Sequence, residues 1–132
     1  MIKQEHTSAE LLAEFHNDAM GWKSMIGHKE NEIRFIKRLL NSKAFTESKP
    51  TLFERLQNFK NEIETKIQEL ESLKKEVNIY ETTLKGILEC EDIACDTFYQ
   101  ENHGVLKKRF NDFYTGFNEY KTKVFKYTGG IL

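Results

Sequence analysis

The chain contains few residues that interrupt helices. Its 132 residues include seven glycines and one proline, Pro50. Sheet proteins need frequent turns, which glycine and proline usually supply, so an all-β or α/β fold is poorly supported. The composition favours long helices joined by short connections.

Long apolar runs are also missing. No stretch approaches the roughly 20 apolar residues that a membrane-spanning helix needs. The first six residues, MIKQEH, lack the apolar segment of a secretory signal. We therefore expect no membrane span and a location in the cytoplasm.

Cysteine is scarce. Cys90 and Cys95 are the two cysteines, and their C-x4-C spacing differs from the C-x2-C spacing of common zinc sites. A zinc ion would need two further ligands, and the only histidine nearby is His103. We expect both cysteines to remain thiols that flank a turn, because a reducing compartment disfavours disulfides.

Known catalytic patterns are missing from the sequence. It has no G-x-G-x-x-G, no P-loop, no G-x-S-x-G and no H-E-x-x-H. The histidines also lack the E-x-x-H spacing of a di-iron bundle. We therefore expect no enzyme, no cofactor and no metal ion.

Apolar residues that recur at alternating spacings of three and four dominate the middle of the chain. The series is interrupted only at Lys66 and consists of Leu52, Leu56, Phe59, Ile63, Leu70, Leu73, Val77, Tyr80, Leu84 and Ile87. This spacing places all of them on one narrow stripe of a helix, the seam, which packs against partner helices.

Two further segments show the same spacing. The first segment has Leu12, Phe15, Ala19, Trp22, Ile26, Ile33, Ile36 and Leu40, with Lys29 as a polar member. The third has Tyr99, His103, Leu106, Phe110, Phe113, Phe117, Tyr120, Val124 and Tyr127. The heptad register breaks between the second and third segments, so we predict a turn at Glu89–Asp92 with Asp92 as the helix N-cap.

Together these patterns predict an all-α fold. We expect helices at about 8–42, 50–90 and 92–127, which form a single domain over residues 1–132. Short connections make consecutive helices antiparallel neighbours. The prediction is therefore an elongated, antiparallel, up-down-up three-helix bundle with coiled-coil-like packing.

Two lysines occupy positions on the apolar seam. In the antiparallel pairing, Lys29 and Lys66 fall in about the same layer. They could form a polar layer that sets the helix register or binds an anion. Alternatively, each could lay its methylene groups on the seam while its ammonium group reaches water, and this second interpretation is the simpler one.

Two histidines also invite a functional interpretation. His103 lies on the seam of the third segment, where we expect a buried histidine that pairs with Tyr80 on the facing helix. His28 and Glu32 are one helical turn apart and could share a ligand, although a surface hydrogen bond is the commoner outcome. With the two seam lysines, His28 and Glu32 define the alternative function, a ligand- or metal-binding helical bundle.

Several apolar residues fall outside the seam. They are Phe35, Ile79, Phe98, Tyr114 and Phe125. Apolar side chains on outer positions indicate a further surface that becomes buried, by a partner or by another part of the chain. We therefore predict a partner-contact surface that includes these five residues with Arg34, Lys37 and Arg38.

The charges are segregated although they sum to only −1. Acidic residues predominate at the end with the second turn, partly because they complement the helix dipoles. The other end has seven basic residues among four phenylalanines: Arg34, Lys37, Arg38, Lys43, Lys49, Lys123 and Lys126 with Phe35, Phe45, Phe53 and Phe125. This end favours an acidic partner, whereas nucleic acid is disfavoured because the net charge is negative and acids are interspersed.

The predicted function follows from these surfaces. We expect a small cytoplasmic protein–protein interaction or scaffold module, whose partner is another protein or a second copy, as in a homodimer. A small-molecule ligand cannot be inferred from the sequence.

Overall fold

A computed structural model describes residues 8–42, 50–90 and 92–131 of the chain. In this part of the chain there are three long helices and no strand. The predicted all-α, three-helix arrangement is therefore confirmed.

The helices have well-separated bounds. Helix α1 spans Ser8–Leu40, α2 spans Pro50–Thr83, and α3 spans Ile93–Ile131. A 3₁₀ helix over Leu84–Glu89 continues α2. None of these helices is long and apolar enough to cross a membrane, a finding that applies to the described residues.

The core follows the seams almost residue for residue. Each helix contributes one stripe of buried apolar side chains, from Leu11 to Leu40, from Leu56 to Ile87 and from Leu106 to Tyr127. Leu11, rather than the predicted Leu12, is the buried residue at the start of α1. Both positions fit a spacing of three or four before Phe15, so the pattern alone did not separate them. The side chain of Leu52 lies outside the described part.

Ion pairs between α1 and α2 run in opposite order along the two helices. Lys23 pairs with Glu81, whereas Lys37, further along α1, pairs with Glu64, which precedes Glu81 in α2. Nζ of Lys37 lies 3.3 Å from Oε1 of Glu64. This order is typical of antiparallel neighbours.

Contacts between α2 and α3 show the same inversion. The Tyr80 hydroxyl lies 2.5 Å from Nδ1 of His103, and the Tyr120 hydroxyl donates to the carbonyl oxygen of Phe59 over 2.8 Å. The up-down-up course and the coiled-coil-like packing remain predictions, and this order of contacts supports the first of them.

The second turn interrupts the helical path at Cys90. Its backbone is extended, with φ −65° and ψ 128°, and α3 begins at Ile93. The Asp92 carboxylate accepts a hydrogen bond from the backbone N–H of Cys95 over 2.8 Å, so Asp92 is an N-cap, as predicted. Glu91 lies outside the described residues.

The prediction of two free thiols was wrong. Cys90 and Cys95 form a disulfide, with their Cα atoms 5.5 Å apart. The cap explains their proximity, because Asp92 turns the chain so that the first turn of α3 returns beside Cys90. Cα separations in this range are those that a disulfide spans.

Helix ends differ from the predicted ones. Helix α3 continues through Gly129 to Ile131 instead of ending near residue 127, and α1 ends at Leu40 rather than 42. The last turns of α3 have buried side chains, Tyr127 and Thr128. Tertiary packing of these residues therefore extends the helix despite the low helix propensity of glycine.

Gly86 allows a close approach between the 3₁₀ helix and α3. A methyl group on Gly86 would lie 1.9 Å from the hydroxyl oxygen of Tyr99 and 3.0 Å from its Cζ atom. Tyr99 is partly buried against the core at this point. An added methyl group would therefore force the Tyr99 side chain to move.

We predict that Gly86→Ala destabilises the protein because the methyl group overlaps the Tyr99 hydroxyl. The expected loss is about 1–3 kcal/mol in the free energy of unfolding, the usual range for overpacking. Urea unfolding measures it, and the matched control is the same substitution in a Tyr99→Phe background, where the loss should be much smaller. Equal losses in both backgrounds would contradict the explanation.

Candidate functional site

An exposed pair of aromatic rings marks the end of the molecule opposite the second turn. Phe35 of α1 and Phe125 of α3 contact edge to face, with ring centroids 6.3 Å apart and an interplanar angle of 73°. They are 56% and 42% exposed. Large aromatic side chains that remain this accessible are typical of surfaces that a partner covers.

Basic side chains lie next to this pair. Arg38 is almost one turn from Phe35 along α1, Lys121 is one turn from Phe125 along α3, and Arg34 directly precedes Phe35. We name these five residues, Phe35, Phe125, Arg34, Arg38 and Lys121, the basic aromatic face.

The charges of this face are only partly neutralised. The Arg34 guanidinium donates a hydrogen bond to the neutral side chain of Asn31, and Lys121 pairs with Glu32 over 2.5 Å. Arg38 forms no ion pair with another described residue. The face therefore combines apolar area with positive charge that an acidic group could match.

The other basic residues predicted at this end differ in their surroundings. Lys37 turns toward α2, where it pairs with Glu64. Lys123 and Lys126 are exposed on α3 at the same end. Lys43, Phe45 and Lys49 lie outside the described residues, so the predicted basic end is only partly described.

The five outer apolar residues do not form one stripe. Ile79 lines a groove of about 300 Å³ between α2 and α3, on the half of the molecule nearer the second turn. Phe98 is exposed on α3 in the same half, against the ring of Tyr99. Outer heptad positions on different helices face different sides of a bundle, so similar positions in the sequence need not meet.

A buried lysine lies one turn below the basic aromatic face. Lys29 is 5% exposed, and its ammonium group donates to Glu32 over 2.8 Å and to Asn118 of α3 over 3.1 Å. It also lies 4.5 Å from the ring centroid of Tyr114, a favourable cation–π distance. The structure therefore places Tyr114 against this lysine rather than on an outer surface.

Glu32 links the two helices through two ammonium groups. One carboxylate oxygen accepts from Lys29 and the other from Lys121. Burial raises the pKa of Glu32, but the hydrogen bonds and charges of Lys121 and Lys29 outweigh it and hold the pKa below its usual value. Glu32 is thus an ionised anchor between α1 and α3, and the positive charges around it disfavour a metal cation.

Lys66, from α2, approaches the same part of α3 that Lys29 contacts from α1. Its ammonium group lies 3.6 Å from Glu69 and close to Gly116, while Lys29 contacts residues 114 to 118. The Lys66 side chain is 15% exposed and lines an open groove of about 490 Å³ with Arg109. Its ammonium group therefore lies at the edge of the core, whereas Lys29 is fully covered.

The predicted His28–Glu32 pair does not form a ligand site. His28 is exposed, and Glu32 is occupied by the two lysines. Among the residues that the structure describes, no group of three histidine, cysteine or acidic side chains could hold a metal ion.

A partly buried network of polar side chains links all three helices in the other half of the molecule. His103 lies between the Tyr80 hydroxyl, 2.5 Å from Nδ1, and the Asp18 carboxylate, 2.9 Å from Nε2. Its ring stacks on Phe15 at a centroid distance of 3.9 Å and also contacts Trp22. The structure thus contains the predicted Tyr80–His103 pair, and it adds Asp18, which the sequence did not reveal.

Protonation states follow from these partners. A carboxylate can only accept, so Nε2 of neutral His103 donates to Asp18 and Nδ1 accepts from the Tyr80 hydroxyl. Burial, reinforced by the charge of Asp18, raises the pKa of Tyr80 and keeps it a donor. Both nitrogens of His103 are occupied and the Tyr80 hydroxyl stays protonated, so these three side chains hold the helices together.

We predict that the protein becomes less stable as the pH is lowered, because of His103. Burial lowers its pKa more than the hydrogen bond and charge of Asp18 raise it. Histidine has a pKa of ~6.5 in the unfolded chain. The unfolded chain therefore binds the proton more tightly than the folded chain does. The free energy of unfolding should hold above about pH 7 and decline below ~6.5, by at most about 1.4 kcal/mol per pH unit from one group.

Urea unfolding between pH 7.5 and 5.5 measures this decline. His103→Gln should remove much of the slope between those pH values, whereas the exposed His28→Gln is the matched control and should retain the wild-type slope. A wild-type slope in His103→Gln would contradict the role assigned to His103.

Comparison with known proteins gives no further guide. No family model, no curated protein and no solved structure matches the chain. Its function must therefore be inferred from its own residues.

Proposed function

We propose that this chain is a protein–protein interaction module that binds an acidic partner protein through the basic aromatic face. The observation that supports the proposal most is the contact between Phe35 and Phe125, two exposed rings from different helices beside Arg38, which forms no ion pair within the described part of the chain. Interface hot spots combine such aromatic anchors with arginine.

The contacts below the basic aromatic face favour binding without a conformational change. Lys29, Glu32 and Lys121 join α1 to α3 directly below the two rings, so the face is held by rigid helices. A rigid surface loses little conformational entropy on binding, which favours affinity.

The expected partner surface combines acidic and apolar side chains. Carboxylates would pair with Arg34 and Arg38, and an aliphatic side chain would cover the two rings. Nucleic acid fits less well because the chain has a net charge of −1. The proposed role is a binding role without a catalytic step.

We predict that a helical Glu/Leu peptide binds this face. Amide shifts in an NMR titration should cluster around Phe35 and Phe125, and added salt should weaken binding because the contact is partly electrostatic. Phe125→Ala and Arg38→Glu should each lower the affinity about tenfold or more, as expected for hot-spot residues.

Two controls sharpen this titration. A Lys/Leu peptide of the same pattern should not bind, and Ile79→Ala, an exposed apolar residue outside the face, should leave the affinity unchanged. Equal binding of both peptides, or shifts centred elsewhere, would refute the proposed face.

The alternative function retains one supporting observation. The groove that Lys66 and Arg109 line, at about 490 Å³, has the size of a small-molecule site. However, Lys66 pairs with Glu69 and Arg109 pairs with Glu76, so their charges are already matched. Shifts around Lys66 on adding inorganic phosphate, with none around Phe125 on adding the acidic peptide, would favour this alternative.

The compartment is part of the same proposal. The cytoplasm was predicted with two free thiols, but the disulfide between Cys90 and Cys95 favours an oxidising compartment. We predict that both cysteines resist alkylation when thiols are trapped in the native cell before lysis. Alkylation of both without prior reduction would instead favour the cytoplasm.

A further inference from the structure

The opposite end of the molecule has an apolar groove. It has a volume of about 490 Å³ and lies between the start of α1 and the 3₁₀ helix. Leu12 and Ala13 line it from α1, and Leu84 and Leu88 line it from the 3₁₀ helix. Leu88 is 57% exposed at its edge. We name this feature the end groove.

Acidic residues predominate at the end of the molecule that carries the end groove. The described segments at this end are 8–20, 80–90 and 92–104, and they contain eight acidic residues and one lysine. The described segments at the other end, 34–42, 50–60 and 119–131, contain eight basic and two acidic residues. The two ends are therefore complementary in charge.

One copy cannot join its own two ends. Along α1, Ala13 and Phe35 are separated by about 33 Å at 1.5 Å per residue. A contact between the end groove and the basic aromatic face must therefore form between two molecules.

We propose that the acidic partner of the basic aromatic face is a second copy of this chain, whose end groove receives Phe35 and Phe125. This proposal rests on the proposed function and names its partner. The two rings would cover the apolar lining of the groove, while Arg34 and Arg38 would meet the acidic residues that predominate at that end.

The contact is head to tail. Each copy uses two different surfaces, so the interface is heterologous and leaves one unused surface at each end of the pair. Association therefore continues beyond a dimer as the concentration rises, and salt reverses it because opposite charges are screened.

Size-exclusion chromatography with light scattering tests the proposal through two complementary variants. The first variant, Phe35→Glu with Phe125→Glu, disrupts the face and keeps the end groove. The second, Ala13→Arg with Leu88→Arg, disrupts the end groove and keeps the face. All four positions are exposed, so both variants should fold, which circular dichroism checks.

Wild-type protein should exceed the 15.6 kDa of one chain and grow with concentration. Each variant alone should remain monomeric, with association weakened about tenfold or more. An equimolar mixture of the two should form a heterodimer of about 31 kDa, twice 15.6 kDa, and stop there, since the only intact surfaces are then used. Ile79→Glu is the control and should associate like the wild type.

Three results would overturn the head-to-tail contact. They are a wild type that stays monomeric, a wild type that stops at a closed dimer, and a mixture that does not form the heterodimer. If the Glu/Leu peptide still binds the basic aromatic face in that case, the proposed function stands with a different acidic partner. If the peptide fails as well, both proposals fall.

Discussion

Burial of one apolar stripe from each of three helices is the interaction on which the rest of this molecule depends. The stripes meet along the whole length of the helices and fill the interior with aliphatic and aromatic side chains, with Lys29, His103 and Thr128 as the buried polar or charged residues among those described. The three grooves described above are open to the surface. Binding is therefore expected on outer surfaces, where exposed rings and unmatched charge remain.

Two polar networks give this uniform seam a defined register. An apolar stripe with a constant repeat can slide by one heptad with little change in buried area, whereas polar groups must meet specific partners. Lys29, Glu32 and Lys121 join α1 to α3, and the chain of Asp18, His103 and Tyr80 joins all three helices in the other half. A shift in register would leave the buried Lys29 and His103 without these partners, at a cost of about 1–3 kcal/mol for each group. The same networks hold the helices that form the basic aromatic face and the end groove.

The sequence predicted the helices and nearly all of the core because both depend on local spacing. The N-cap at Asp92 was also predictable, since capping is a local interaction. It did not predict Asp18 or Lys121, because their partners lie on other helices and the alignment of the helices is needed to find them. The same limit explains why Phe35 and Phe125 meet while Phe98 lies elsewhere. The disulfide was missed because its formation was judged from the assumed compartment rather than from the turn.

The central claim is that the seams hold the chain as a slender bundle whose interior is filled and whose ends carry different surfaces. Small-angle X-ray scattering, at a salt concentration that keeps the protein monomeric, tests it most directly. Helix α3, with 39 residues, is about 58 Å long, so the maximum dimension should reach about 60 Å. A radius of gyration of about 14 Å, the value expected for a compact globule of this length, would contradict the claim.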